Sequence, residues 1–186
     1  METVRPHHSL WGDAMIRLRR NRLAVAGAII ISFVALVAIV YPFSSPYNFA
    51  RQDLNAILQS PSYAHWMGTD ELGRDVFTRL VLGARTSLAV GIFTQLIIIS
   101  IGLPIGAFSA AAGGRTDNLI MRFVDVMYAF PDILLIILLR SILGGSIYNM
   151  FLAIGLVTWV DVSRLVRGQV LSLKQRDFVT AARAMG

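Results

Sequence analysis

No charged residue occurs between Arg22 and Arg51, and the run LAVAGAIIISFVALVAIVYPF fills most of that interval with apolar side chains. A helix needs roughly 20 such residues to cross a bilayer, and within the hydrocarbon every backbone polar group must be satisfied internally. The run therefore reads as a transmembrane helix over residues 23–43, preceded by a tail over 1–22. A secretory signal would carry a shorter apolar region of about 7–15 residues before a small-residue cleavage site. Here the run is longer and ends in YPFSSPY.

The same signal returns downstream. Thr86 to Gly114 is uncharged and predicts a second span over 87–110, with the glycine-rich end as its exit turn within 111–118. The stretch LIMRFVDVMYAFPDILLIILLRSIL carries Arg122, Asp125, Asp132 and Arg140, yet it is long enough to cross. Asp125 and Asp132 are seven residues apart, which places them close to one helical face, while the rest is continuous Ile, Leu, Phe and Val. This predicts a third span over 119–141 whose polar side meets protein, because intramembrane charges almost always face a bundle interior or a wet cavity. After a turn at 142–147, a fourth span is predicted over 148–167, leaving 168–186 as a terminal segment. With 55% hydrophobic and 15% charged residues, against about 25% charged in soluble domains, the chain reads as an all-α, polytopic transmembrane bundle.

The formal net charge of +6 would suit a nucleic-acid binder, but its placement argues otherwise. Arg17, Arg19, Arg20 and Arg22 crowd the entry to the first span, and Arg164, Arg167, Lys174, Arg176 and Arg183 gather near the end. That is the positive-inside pattern. It places the N-terminus and 168–186 in the cytoplasm, 44–86 outside, 111–118 inside and 142–147 outside, as expected of a multi-pass membrane protein. Arg51, Arg74, Arg79 and Arg85 in the outer segment are offset by Asp53, Asp70, Glu71 and Asp75.

Catalytic patterns are missing: there is no GxxxxGK[ST] phosphate loop, HExxH or GxSxG, and no cysteine. His7, His8 and His65 lie outside the predicted spans, and His65 near Asp70 and Glu71 lacks metal-ligand spacing, so no catalytic and no metal residue is assigned. Asp125, Asp132 and Arg140 remain as intramembrane charges that either line a translocation path or pair with another helix. In HWMGTDELGRDVFTRLVLGARTSL, Gly68 and Gly73 give turn freedom and Asp70 and Asp75 suit the capping of backbone amides. An amphipathic helix follows, lying on the membrane surface or leading into the second span. The segment is a structured exterior element, with docking one of its possible uses.

The chain closes on LKQRDFVTAARAMG. Phe178, Ala181, Ala182 and Met185 recur at i, i+3, i+4 and i+7 as one apolar stripe, and Arg176, Thr180 and Arg183 follow the same spacing on another face. Such a helix can rest on lipid headgroups or fit a groove in a soluble partner. The stripe is short, which favours the groove.

GTDELGRDVFTRLVLGARTSL, GGRTDNLIMRFVDVMYAFPDILL and RLVRGQVLSLKQRDFVTAARAMG, with the arginine-rich entry to the first span, together resemble the inner-membrane permeases of binding-protein-dependent ABC importers. The match is to the second permease of the dipeptide, oligopeptide and nickel group, from about Leu23 onward. The resemblance implies a type I importer permease fold. It also implies a cytoplasmic coupling helix with the pattern Glu-Ala-Ala, three residues, then Gly, which falls on Thr180, Ala181, Ala182 and Gly186, with Thr180 in place of the glutamate. Arg176, Asp177, Phe178 and Arg183 complete that ATPase-coupling segment. Gly68, Thr69, Asp70, Gly73, Arg74 and Asp75 would form the extracytoplasmic docking or structural motif. The implied partners are a homologous permease, two ATPase subunits holding ATP and Mg, an extracytoplasmic substrate-binding protein and the lipid bilayer. The chain itself would bind no cofactor and no nucleic acid, and would be a transport subunit, not an enzyme.

In the family an Ile-Leu-Pro segment and two further spans follow the signature, so a truncated permease is expected here. Di- or oligopeptides are the implied cargo, with nickel and other small solutes also transported in the group. Two other classes of function remain open at this level: a gradient-driven transporter or channel using Asp125 and Asp132, and an assembly factor without transport.

Overall fold

The computed structural model describes residues 10–186; the part of the tail before Leu10, with His7 and His8, lies outside the described residues. Among the described residues the chain is helical, with one isolated antiparallel bridge between Thr69 and Asp75. Seven helices follow in order: α1 (Leu10–Arg20), α2 (Arg22–Ser44), α3 (Val76–Ala112), α4 (Gly114–Tyr128), α5 (Asp132–Leu143), α6 (Ile147–Lys174) and α7 (Asp177–Ala184). α2, α3 and α6 are long and apolar enough to cross a membrane, and α4 with α5 qualifies as a bent pair. The chain is thus an all-α, multi-pass membrane protein. Its packing divides into two compact units after Leu88.

In the first unit, Asn21 separates α1 from α2 and caps the latter, its side-chain oxygen accepting the N–H groups of Leu23 and Ala24 at 3.1 and 3.2 Å. The first three amides of a helix lack intrahelical partners, so such a cap fixes where the span starts. Except for Ala38, α2 has no buried residue, as expected of a helix whose solvent is lipid. At its far end the Tyr41 hydroxyl lies 3.2 Å from that of Thr78 in the first turn of α3, and the Tyr41 ring meets Phe77 edge-on at 4.9 Å. Between α2 and α3 the backbone forms a compact loop around one 3-10 turn, Leu54–Ala56.

α3 is continuous over 37 residues, about 55 Å at 1.5 Å per residue, well beyond a hydrocarbon core of roughly 30 Å. The amphipathic stretch after Asp75 and the second predicted span are therefore one helix, so the span does not begin as a separate element at residue 87.

The second unit is built on α6. Its buried face, with Phe151, Ala153, Val157, Trp159, Val160 and Ser163, lies against the later part of α3 and against α4. Val124, Trp159 and Val160 form the buried cluster, flanked by Ile101, Ile105, Met121 and Met127. Gly102 and Gly106 allow the backbones to touch: a Cβ on Gly102 would stand 2.7 Å from the Trp159 carbonyl oxygen. Close backbone approach through small residues is how membrane helices gain packing without a hydrophobic drive between them.

The stretch predicted as one span over 119–141 is broken. α4 ends at Tyr128, α5 starts at Asp132, and the two are bent by 85°. Pro131 explains the break, because it has no N–H for the helix ladder and disfavours helical geometry at Phe130. Asp125 and Asp132 consequently lie on different helices, and the shared face expected from their seven-residue spacing does not exist.

Candidate functional site

The loop between α2 and α3 is tied together by the residues singled out in GTDELGRD. Gly73 has φ +68°, and a Cβ there would fall 1.7 Å from the Asp53 carbonyl oxygen; Gly68 has φ +72° and would meet the Gln59 carbonyl oxygen at 2.3 Å. Both positions require glycine twice over, by backbone conformation and by space. The Thr69 hydroxyl donates to the Ala56 carbonyl and accepts the Gln59 N–H at 2.9 Å.

Asp70 is the hub of the turn. One carboxylate oxygen accepts the N–H groups of Leu72 and Arg74, both at 2.9 Å, and the other receives the Arg74 guanidinium at 2.8 Å and that of Arg79. Desolvation works against ionisation here, but the two amides and Arg74 outweigh it and hold the carboxyl well below the usual carboxylate range. Asp75 accepts the Thr78 N–H at 2.7 Å, capping the start of α3, and its other oxygen lies 3.0 Å from His65 Nδ1. Burial pushes the Asp75 carboxyl up, but its hydrogen bonds with Thr78 and His65 bring it below the ordinary value. His65 is thus used in the loop, its ring tilted against that of Tyr47 with the centres 4.9 Å apart. Among the described residues no group of three or more His, Asp or Glu is placed to hold a metal ion.

Of the charges in and beside the predicted third span, Asp125 pairs with Arg164 on α6, whose guanidinium also lies 4.2 Å from the centre of the Tyr128 ring. Asp132 is the exposed first residue of α5, where a carboxylate complements the helix dipole. Arg140, in the last turn of α5, lies 4.0 Å from the Met150 sulfur. The three are not gathered into one site.

At the end of the chain a tight turn through Gln175 and Arg176 separates α7 from α6, with the N–H of Arg176 donating to the Leu173 carbonyl at 3.1 Å. α7 has no buried residue, and Phe178 is 66% and Met185 85% exposed, so the apolar stripe is open. The Thr180 hydroxyl turns back on the Arg176 carbonyl at 3.4 Å.

Sequence reasoning found no partner for the charges where the end of α3, the start of α4 and the end of α6 meet. Asp117, in the first turn of α4, receives the Arg167 guanidinium in a bidentate pair, 2.6 Å on each oxygen, and the buried Ser109 hydroxyl at 2.6 Å. Lys174 Nζ donates to the Ala110 and Ala111 carbonyls at 2.5 and 2.8 Å. Arg167 and Lys174 look like ordinary positive-inside charges in the sequence. Only the placement of Asp117 just after Gly113 and Gly114, at a helix start, hints at its importance.

A family model described as the N-terminal TM domain of oligopeptide transport permease C matches residues 9–61, and one for the binding-protein-dependent transport system inner membrane component matches residues 102–186. The oligopeptide transport system permease protein OppC of Bacillus subtilis (strain 168) is 41% identical over 96% of this chain and 58% of the relative. The dipeptide transport system permease protein DppC of the same organism is 43% identical over 98% and 57%. OppC of Escherichia coli (strain K12) is 38% identical over 96% and 60%. The chain thus spans somewhat under two thirds of the length of these relatives. Two family models in the right order, and identity of this level along nearly the whole chain, show that it belongs to the inner-membrane permease components of binding-protein-dependent transport systems.

Proposed function

We propose that the chain supplies membrane spans and the ATPase contact of a permease subunit in an ATP-driven importer of di- or oligopeptides. The observation that carries this reading is α7: a short helix with an exposed apolar stripe, set off by a tight turn from the long α6 and bearing the Ala181, Ala182 and Gly186 pattern. Residues 176–186 would sit in a groove of an ATPase subunit, with Thr180 making no contact equivalent to that of the family glutamate.

In this reading the amino end and α7 are cytoplasmic, the loop between α2 and α3 faces outward, and α4 with α5 makes one broken crossing. Two ATPase subunits hold ATP and Mg, a homologous permease completes the path, and an extracytoplasmic binding protein delivers the peptide. The chain is a transport subunit, not an enzyme. Closure of the ATPases on ATP moves α7 and favours the outward-facing arrangement, and the loaded binding protein must prefer that arrangement too, since a ligand shifts an equilibrium only by differential affinity. The Gly68–Asp75 turn, tied by Asp70 and Asp75, supports a firm docking platform for the binding protein or the second permease.

The test is peptide uptake into vesicles holding the complete transporter. Uptake that requires ATP, survives collapse of ion gradients and persists in Asp125→Asn/Asp132→Asn supports the proposal. Uptake driven by a gradient without ATP and lost in that double variant supports the gradient-driven alternative. The separation of Asp125 and Asp132 onto two helices weighs against a joint ion site.

A further inference from the structure

The cytoplasmic role proposed for α7 requires that a push on a short terminal helix reach the long helices. A single helix pivoting alone would transmit little. The residues that join α6 to its neighbours lie directly before α7. Arg167 binds both Asp117 oxygens, Ser109 on α3 holds the same carboxylate, and Lys174 covers the last carbonyls of α3. Those carbonyls have no N–H of their own helix to accept, so the ammonium satisfies groups that would otherwise be open, and it does so at the negative end of the α3 dipole.

Each bond closes a different gap. Asp117 belongs to the first turn of α4, Ser109, Ala110 and Ala111 to the last turn of α3, and Arg167 and Lys174 to the last two turns of α6. A bidentate guanidinium–carboxylate pair fixes orientation as well as distance, unlike a point-charge contact. Asp117 is nearly buried, and Arg167 about two thirds covered, so water competes little for the pair. Behind it, Gly106 lets α3 touch the Ser163 backbone.

We infer that Asp117, Arg167 and Lys174 are positioning residues: together they lock the end of α3, the start of α4 and the end of α6 into one rigid corner that carries α7. The corner moves as a body, and the bend between α4 and α5 lies beyond it. The consequence for transport rests on the coupling role proposed for α7; the rigidity of the corner does not.

The chain has no cysteine, so Arg115→Cys on α4 and Gln175→Cys at the end of α6 accept a unique pair of spin labels. Dipolar spectroscopy should give one narrow distance in this background. Adding Asp117→Asn with Lys174→Met should broaden or split it, and the exchange Asp117→Arg/Arg167→Asp should narrow it again relative to either half alone. Circular dichroism and gel filtration report folding, and Lys174→Met alone, which leaves the ion pair intact, carries the test should the double variant not fold. An unchanged distance distribution overturns the rigid corner. In the complete transporter, peptide moved per ATP should fall by about fivefold or more while the ATPase still co-purifies. A broadened distance with an unchanged peptide-to-ATP ratio overturns the transmission role. Failure of the coupling role itself shows separately, as ATPase retention by an α7 variant.

Discussion

Gly106 lies against the backbone of Ser163, so closely that a Cβ on the glycine would stand 2.3 Å from the Ser163 carbonyl oxygen. Gly102, Gly106 and Ala110 recur at four-residue spacing along α3, and Ala110 is fully buried. Leucine at 106 must force α3 from α6, with overpacking of this kind costing about 1–3 kcal/mol. Alanine at Gly91, which has nothing within 4 Å, should be neutral or stabilising by up to about 1 kcal/mol. Unfolding in mixed detergent micelles followed by circular dichroism checks both, and a Gly106→Leu variant as stable as the parent would contradict the packing.

The Asp70 turn should be acid-sensitive in a defined direction. Its carboxyl titrates lower in the folded loop than in an unfolded one, so its stabilisation is complete above the unfolded value of about 3.9 and is lost as pH falls through the lowered folded value. Pepsin should cut the loop increasingly from about pH 4 downward in the parent. Asp70→Asn should be cut readily throughout, without that dependence.

Asp75→Ala removes the cap of α3 and should cost about 1 kcal/mol locally. The cost would appear as faster amide exchange at Thr78, whose N–H the carboxylate accepts. Unchanged exchange there would count against the cap.

Topology can be read by labelling single cysteines in a chain that has none. Arg19→Cys and Arg183→Cys should react only from the cytoplasmic side, and Ser60→Cys only from the other. Arg19 and Arg183 on opposite sides would show that α4 and α5 form a re-entrant pair, not a crossing.

α2 was legible because lipid imposes the simplest pattern in protein sequences, an uninterrupted apolar run, and the predicted 23–43 lies within the observed Arg22–Ser44. The turn at Gly68 to Asp75 was legible as glycines and capping carboxylates. The break at Pro131 was missed because periodicity was counted through a proline, which has no place in the helix ladder. The pairing of Asp117 with Arg167 joins residues 50 positions apart, and no local pattern marks such a pair. Charge placement near a span end explains Arg167 and Lys174 equally well without any partner.

If α7 fits a groove of an ATPase subunit, Ala182→Arg should abolish that fit. Ala182 is exposed on the apolar stripe of α7, so arginine there should not disturb this chain but should fill the space a closely approaching partner needs. Co-purification of the ATPase with the complete permease should be lost in Ala182→Arg, while membrane insertion and the permease pair remain intact. Retention of the ATPase at the parent level would contradict the claim.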